Sequence, residues 1–436
     1  MKAKPVYYLI IAIAIASCND RFGGTENPAA QGGHIKIAVV SDIHYMDPAL
    51  LQNGAENGQA FQDYLNADPK LIQYSDAITR QMISEVTKEK PDMLLIPGDL
   101  TKDGERVSHQ SLVSLLRPLI SKGIKVIVVP GNHDIMNPEA RSYNGDAATP
   151  TPSVTPSEFA SIYHEFGYGD AIYRDPNSLS YVSQPYSDIW ILAIDDCKYT
   201  ENTNGIAVIG GNIKNETMAW IKTRLAEAKQ RNIRVFGMMH HNLIEHYANQ
   251  NVLDPQYVTD NWEQNSNELM DAGLQVIFTG HYHANDVTTK NYNGNLLYDI
   301  ETGSQVNPPL PYRLIQLQNK EMEVTTRYIA TIDAALPGGM DITTYSQLFF
   351  SGHLDGAFSY LLTQPPFSMS DEEAANAAPQ FRNAYMAHFA GDEKISVAEQ
   401  KLDDAIAASY PIAGMALAVL WTDLNPSDNK VHVSLK

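Results

Sequence analysis

Ile124-Lys125-Val126-Ile127-Val128-Val129-Pro130-Gly131-Asn132-His133-Asp134 is a β-branched, apolar run that stops at a turn and ends in three residues able to bind or move charge. Four more segments repeat this form. Ile35–Val40 runs into Ser41-Asp42-Ile43-His44, and Met93–Ile96 into Pro97-Gly98-Asp99. Val235–Met239 runs into His240-His241-Asn242, and Val276–Thr279 into Gly280-His281-Tyr282-His283. Short continuous apolar runs of this kind suit strands buried on both faces. Between them, Ser75–Lys88, Gln110–Ile120 and Thr217–Arg231 carry apolar residues at helical spacing. The order is alternating β and α, and in open α/β sheets functional sites form beyond the carboxyl ends of the strands. Five polar clusters at five strand ends therefore converge on one place.

Outward from this core the pattern changes. Residues 137–175 are rich in Pro, Thr, Tyr and Gly and read as a long insertion near the mouth of the site. Leu296–Ile300 and Arg313–Ile329 read as closing strands. After about Asp333 the chain turns helical, with capping-box signatures at Ser370–Glu373 and Ser396–Glu399. Helices near 341–363, 371–390 and 397–421 are expected to form a three-helix bundle, acting as a cap over the pocket or as a cover for a sheet edge. The boundaries that follow are 1–17 leader, 18–33 tether, 34–332 catalytic domain and 333–436 helical domain.

At the N-terminus, Lys2 and Lys4 precede an apolar run, Val6 to Ser17, too short to span a bilayer comfortably. It ends in Ile15-Ala16-Ser17-Cys18, which resembles a bacterial lipobox, so Cys18 is the expected lipidated residue and the cell envelope the expected location. Asn19 to Gly33 then reads as a flexible tether. Cys197 is the second of two cysteines, so with Cys18 lipidated no disulfide forms within the chain. The formal net charge is −20, or −22 once Lys2 and Lys4 are removed with the leader. Such a surface disfavours a nuclease acting on long polyanions.

The clusters supply what a hydrolytic two-metal site needs: a carboxylate able to bridge, imidazoles, and further oxygen donors. The set is Asp42, His44, Asp99, Asn132, His240, His281 and His283. Singly, none of these fragments is diagnostic; their joint order at strand ends is. The ordered set Asp-x-His, Gly-Asp, Gly-Asn-His-Asp, His and Gly-His-x-His resembles the calcineurin-like metallophosphoesterase superfamily, over residues 37–283. The Ser-Asp-Ile-His-Tyr start and the helical C-terminus are similar to its bacterial envelope lipoprotein branch.

The resemblance implies an α/β fold, a four-layer α/β/β/α sandwich with a smaller C-terminal helical domain. It implies two divalent or mixed-valence ions (Mn, Fe, Zn, Ni or Co), one held by Asp42, His44, Asp99 and His283. Asp99 bridges to the second, held also by Asn132, His281 and either His240 or His241, with His240 preferred. His133 is implied to protonate the leaving alkoxide, with Asp134 orienting its ring, while a metal-bridging hydroxide attacks in line. Asp103 is a candidate for a place behind the ligands, and His241 for that or for substrate contact; His109, His164 and His246 have no partner pattern. One departure is Lys102, where purple acid phosphatases place the tyrosine that colours their iron.

The function expected is hydrolysis of a small phosphate ester, a phosphodiester or cyclic nucleotide first and a broad range of monoesters second. Protein phosphatases of the superfamily carry arginines in loops that here have none, and a non-catalytic binding lipoprotein fits poorly with a complete ligand set. The anchor has a direct check: Cys18→Ala is expected to abolish acylation and release the protein from the membrane fraction, and a variant still acylated and membrane-bound refutes it.

Overall fold

The computed structural model describes residues 33–203 and 205–436; the leader, Cys18 and the tether through residue 32 lie outside the described residues. The strand-end clusters are carried by two mixed sheets. In the first, the strand order is Lys430–Ser434, Glu321–Tyr328, Pro311–Gln318, His34–Val39, Met93–Pro97, Lys125–Val129. In the second it is Val287–Tyr292, Asn295–Glu301, Val276–Thr279, Arg234–Met239, Ile189–Ile194, Tyr181–Tyr186, Tyr173–Arg174. The five expected strands lie at adjacent positions, parallel to their neighbours in each β/α repeat.

Residue alternation along Ile189–Ile194 shows the layering. Ile189, Ile191 and Ala193 join a core with Ile37, Val39, Leu95 and Val128 of the first sheet. Trp190, Leu192 and Ile194 face the other way, onto Ile221 and Leu225 of helix Asn215–Gln230 and Leu269 of helix Trp262–Ala272. Both faces are apolar because both are covered. Each of these fully buried side chains contributes about 1.5–3 kcal/mol relative to exposure. Across the sheets, Tyr181 Oη donates to the Val128 carbonyl at 2.7 Å. Helices Ser75–Glu89 and Arg106–Ser121 back the first sheet through Ile78, Met82, Leu112 and Leu116.

The insertion at 137–175 is less irregular than its composition suggests. Arg141–Asn144 and Ala147–Pro150 form a hairpin, and Thr155 with Glu158 caps helix Pro156–Ile162 by a capping box. At the C-terminus both expected capping boxes form, but the helices number four: Ile342–Thr363, Asp371–Ala390, Val397–Ser409 and Pro411–Leu420. The expected single helix over 397–421 breaks because Pro411 cannot continue a helix yet suits the first position of a new one.

A second departure is larger. The segment 333–436 does not end as a helical appendage: Lys430–Ser434 pairs antiparallel with Glu321–Tyr328 and becomes the edge of the first sheet. Val431 and Val433 are buried while Lys430, His432 and Ser434 face out, an alternation only five residues long. The helices also reach inward. Tyr282, between the two histidines of Gly-His-x-His, packs with Phe350, Phe389 and Tyr247 in one cluster. The C-terminal helices therefore buttress a site loop.

His109, on helix Arg106–Ser121, is completely buried; its Nε2 donates to the Asp134 carbonyl at 2.8 Å and Nδ1 accepts from Tyr163 Oη at 2.9 Å. Burial drives the ring down to about 4, against the bond to Asp134, so the fold holds it neutral. Its contribution is full above the unfolded value near 6.5 and is lost as pH falls toward 4, by about 3 kcal/mol. Urea unfolding of metal-free protein at pH 7 and pH 4 should show that loss in the wild type and a shallower one in His109→Gln; equal slopes would refute this role.

Candidate metal centre

Three of the five strands end in a sharp turn, and the turn aims the ligand. Asp42, His44, Asp99, His281 and His283 all have left-handed backbone, with φ of 51°, 43°, 44°, 78° and 69°. Such conformations cost a non-glycine residue about 1–3 kcal/mol each and cluster at functional sites. These residues have therefore left the strand pleat. Glycines make room for the approach. A Cβ on Gly131 would collide with Asp99 Oδ1, and one on Gly280 with Ser41 Oγ and Asp42 Oδ2.

Two groups of candidate ligand atoms result, with Asp99 in both. Asp42, His44, Asp99 and His283 form one, and Asp99, His240 and His281 the other; within each group the ligand atoms lie within 4.8 Å of one another. The shared atom is Asp99 Oδ2, 3.6 Å from His44 Nε2 and 3.4 Å from His240 Nε2. Its other oxygen accepts the His133 N–H at 3.0 Å, which fixes the carboxylate plane. His283 Nε2 lies 3.2 Å from His44 Nε2 and 3.5 Å from Asp42 Oδ1. Asn132 Oδ1 stands 3.0 Å from His240 Nε2.

The arrangement fits metal ions on its own chemistry. His240 Nδ1 donates to the Pro97 carbonyl at 2.9 Å and His281 Nε2 to the Gln256 carbonyl at 3.1 Å. The inward nitrogen of neutral His281 is then a bare lone pair, while His240, which burial would lower but Asp99 beside it raises to about 10, turns Nε2 to Asp99 Oδ2 and Asn132 Oδ1. Asp42 Oδ1 and His44 Nδ1 are buried with no hydrogen-bond partner. Lone pairs gathered this way repel unless a cation lies among them. Burial holds His44 and His281 well below the ordinary histidine range, so both are neutral and able to ligate.

His240 and His241 separate cleanly. His240 sits against Asp99 and Asn132, whereas His241 bonds the Ile209 carbonyl at 2.7 Å and lies 3.0 Å from Asp196. The His241 ring lies 4.2 Å from that of His281 and tilted 59° to it, behind the ligand group.

His133 faces both groups, with Nε2 4.0 Å from Asp99 Oδ2 and its ring edge-on to His44 at 4.9 Å. The carboxylate that holds it is not Asp134, as expected, but Asp103, at 2.9 Å from Nδ1. Asp134 is turned away. It accepts from the backbone N–H groups of Leu100, Thr101 and Gly131 and from Thr101 Oγ1, tying the Gly-Asp loop to the Gly-Asn-His-Asp loop. Asp103 is braced in turn by buried Lys102, which also pairs with Glu105 at 3.4 Å and lies over the Tyr64 ring. Cys197, a buried free thiol, donates to the Pro130 carbonyl at 3.4 Å at the start of the same loop.

Two groups at the site escaped sequence reasoning. Lys70, held by Asp68 at 3.1 Å, lies near enough to act electrostatically on His44, Asp99, Asp103 and His133. Tyr257 packs its ring 4.8 Å from that of His281. Both come from loops without a motif. His109 and His246, which have no partner pattern in the sequence, are buried and packed, His109 on the Asp134 carbonyl and His246 2.8 Å from Asp286.

Residues 35–285 match the family model described as calcineurin-like phosphoesterase. The chain belongs to that family. Calcineurin-like phosphoesterases work with two metal ions. Two bacterial proteins described as probable cyclic nucleotide phosphodiesterases, from Vesicomyosocius okutanii and Ruthia magnifica, are each 40% identical over 58 residues. That stretch is 13% of this chain and 24% of theirs, so the match spans about a quarter of the length of those relatives. A dimetal phosphatase structure from Danio rerio is similar at 13% identity and a TM-score of 0.46, over 67% of this chain and 96% of that one.

The close approach at Gly131 is testable in this phosphoesterase. Gly131→Ala is expected to displace Asp99, lower the metal bound per chain and cut activity by roughly 100-fold with circular dichroism unchanged. Full metal content and full activity in that variant would show that Asp99 tolerates the displacement.

Proposed function

We propose that this phosphoesterase is a phosphodiesterase of small or cyclic-nucleotide-like substrates, held at the cell envelope by lipid on Cys18. The observation that carries the reading is Asp99 Oδ2 set between two ligand groups, with His133 held at the same spot by Asp103. In this reading Asp42, His44, Asp99 and His283 hold one divalent ion, and Asp99, Asn132, His240 and His281 the other. Bound ions would supply Lewis-acid charge to the phosphoryl oxygens and an activated water.

The chain's own residues account for the rest. Asp103 keeps the His133 Nδ1 proton directed at itself, so Nε2 faces the reacting centre and can give its proton to a leaving alkoxide. Lys70 offers one positive charge near the phosphate position, already partly satisfied by Asp68. A diester carries one negative charge and a monoester nearly two, so a single shared lysine suits the diester. The partial relatives described as cyclic nucleotide phosphodiesterases agree with that choice. The Gly98–Asp103 and Gly131–Asn137 loops contain no arginine, which separates the site from a protein phosphatase.

The experiment is hydrolysis of bis(p-nitrophenyl) phosphate, p-nitrophenyl phosphate and 3′,5′-cyclic nucleotides by metal-stripped protein resupplied with Mn²⁺ or Zn²⁺, with Asn132→Ala as the blank. Diesters are expected to be preferred; a preference for the monoester would replace this reading with a broad phosphomonoesterase. His133→Ala should lose roughly 10²- to 10⁴-fold on a cyclic nucleotide and far less on p-nitrophenyl esters, whose leaving group needs no proton. An equal loss on both would remove His133 from the role of acid.

A further inference from the structure

A second gathering of ligating side chains lies where the C-terminal helices meet the catalytic sheets. Asp286 follows His283 by three residues, at the start of strand Val287–Tyr292. His388 is in the last turn of helix Asp371–Ala390, and Glu393 follows just beyond that helix. One ligating atom from each of the three lies within 4.8 Å of the others. His388 Nδ1 is 2.5 Å from Glu393 Oε1 and 3.8 Å from Asp286 Oδ2, and the three side chains are 2%, 0% and 3% exposed in the order His388, Glu393, Asp286.

These groups are buried, and carboxylates outnumber the imidazole among them. Glu393 Oε2 has no hydrogen-bond partner although its side chain is wholly enclosed. Asp299, Glu301 and Asp428 are buried in the same region, with His246 2.8 Å from Asp286 Oδ1 and 3.5 Å from Asp299 Oδ1. Arg313, the buried guanidinium there, directs its terminal N–H groups to the carbonyls of Asp286, Glu301 and Asp428 and to Thr326 Oγ1. None of these hydrogen bonds goes to a carboxylate oxygen. Burial, and then Asp286 beside it, push the Asp428 carboxyl up to about 9. Carboxylates enclosed in this way are costly unless paired or bound to a metal.

We propose that Asp286, His388 and Glu393 hold a further divalent transition-metal ion, of the zinc class, that clamps the C-terminal helices to the catalytic sheets. One imidazole with two carboxylates is a mixed nitrogen and oxygen set suited to such an ion, with a fourth position for water. Binding requires the proton between His388 and Glu393 to leave. The 2.5 Å contact then opens by about an ångström to the spacing of ligands around a tetrahedral ion. The inference does not rest on the phosphodiesterase reading, since none of the three residues belongs to the centre around Asp99.

Zinc content of the full-chain protein, measured by mass spectrometry after dialysis, separates the two. Wild type is expected to hold three ions per chain, Glu393→Gln two, and the double variant Asp99→Asn with Asn132→Ala at least one, whose addition raises Tm. Equal zinc content in wild type and Glu393→Gln overturns the clamp and leaves the catalytic centre untouched. A wild type holding a single ion that Glu393→Gln loses supports the clamp and defeats the two-ion reading of the catalytic centre. Should Glu393→Gln not fold, the double variant decides alone: bound zinc with a raised Tm, both abolished by adding His388→Ala, supports the site, and no bound zinc overturns it.

Discussion

Asp99 Oδ2 is a buried carboxylate oxygen set between the inward-facing nitrogens of His44 and His240, in one gathering with Asp42, His281 and His283. That condition is expensive in a protein interior, and much of the surrounding structure maintains it. Pro97 and Gln256 take the outward N–H of His240 and His281. The His133 N–H locks the second oxygen of Asp99, and Asp134 ties together the two loops that bring Asp99 and Asn132 face to face. His109 then secures Asp134 from behind. Each layer satisfies the groups of the layer inside it and leaves the innermost one unsatisfied. A site built to receive cations requires that sequence, because any donor left facing inward would take a place the ion needs.

The same constraint explains why the backbone is strained where it is. An Asp or His that stayed in the pleat would point above or below its sheet, into one core or the other. Left-handed turns at Asp42, His44, Asp99, His281 and His283 instead aim the side chains past the strand ends, where the two sheets open. Twelve or more buried strand residues on each sheet hold those ends in place, so the strain is carried by packing rather than by the loops themselves.

Much of this was legible in the sequence. The apolar runs and the polar residues that end them identified the strands, and their order identified the ligand set. What misled was chemistry that local pattern does not encode. Asp134 stands next to His133 and was expected to hold it, yet three donors from another loop and the Gly131 N–H of its own claim its carboxylate, while Asp103, thirty residues away, reaches the ring. Lys70 and Tyr257 come to the site on loops with no motif. The last strand was missed because two valines in five residues are too few to read as a sheet edge, and the break at Pro411 because helical periodicity resumes on the far side.

The C-terminal segment is best understood through Tyr282. Its neighbours His281 and His283 face different ligand groups, so its own position sets the spacing between them. Tyr282 is held by Phe389 and Tyr385 at ring distances of 6.0 and 6.3 Å, both on helix Asp371–Ala390. That helix is fixed at its other contact by His388 against Glu393 and Asp286, three residues beyond His283. The chain then crosses back to pair as an edge strand of the first sheet. The helical segment thus grips both sheets and the loop between two ligands at once, and a segment so engaged belongs to the architecture of the catalytic centre rather than to its periphery.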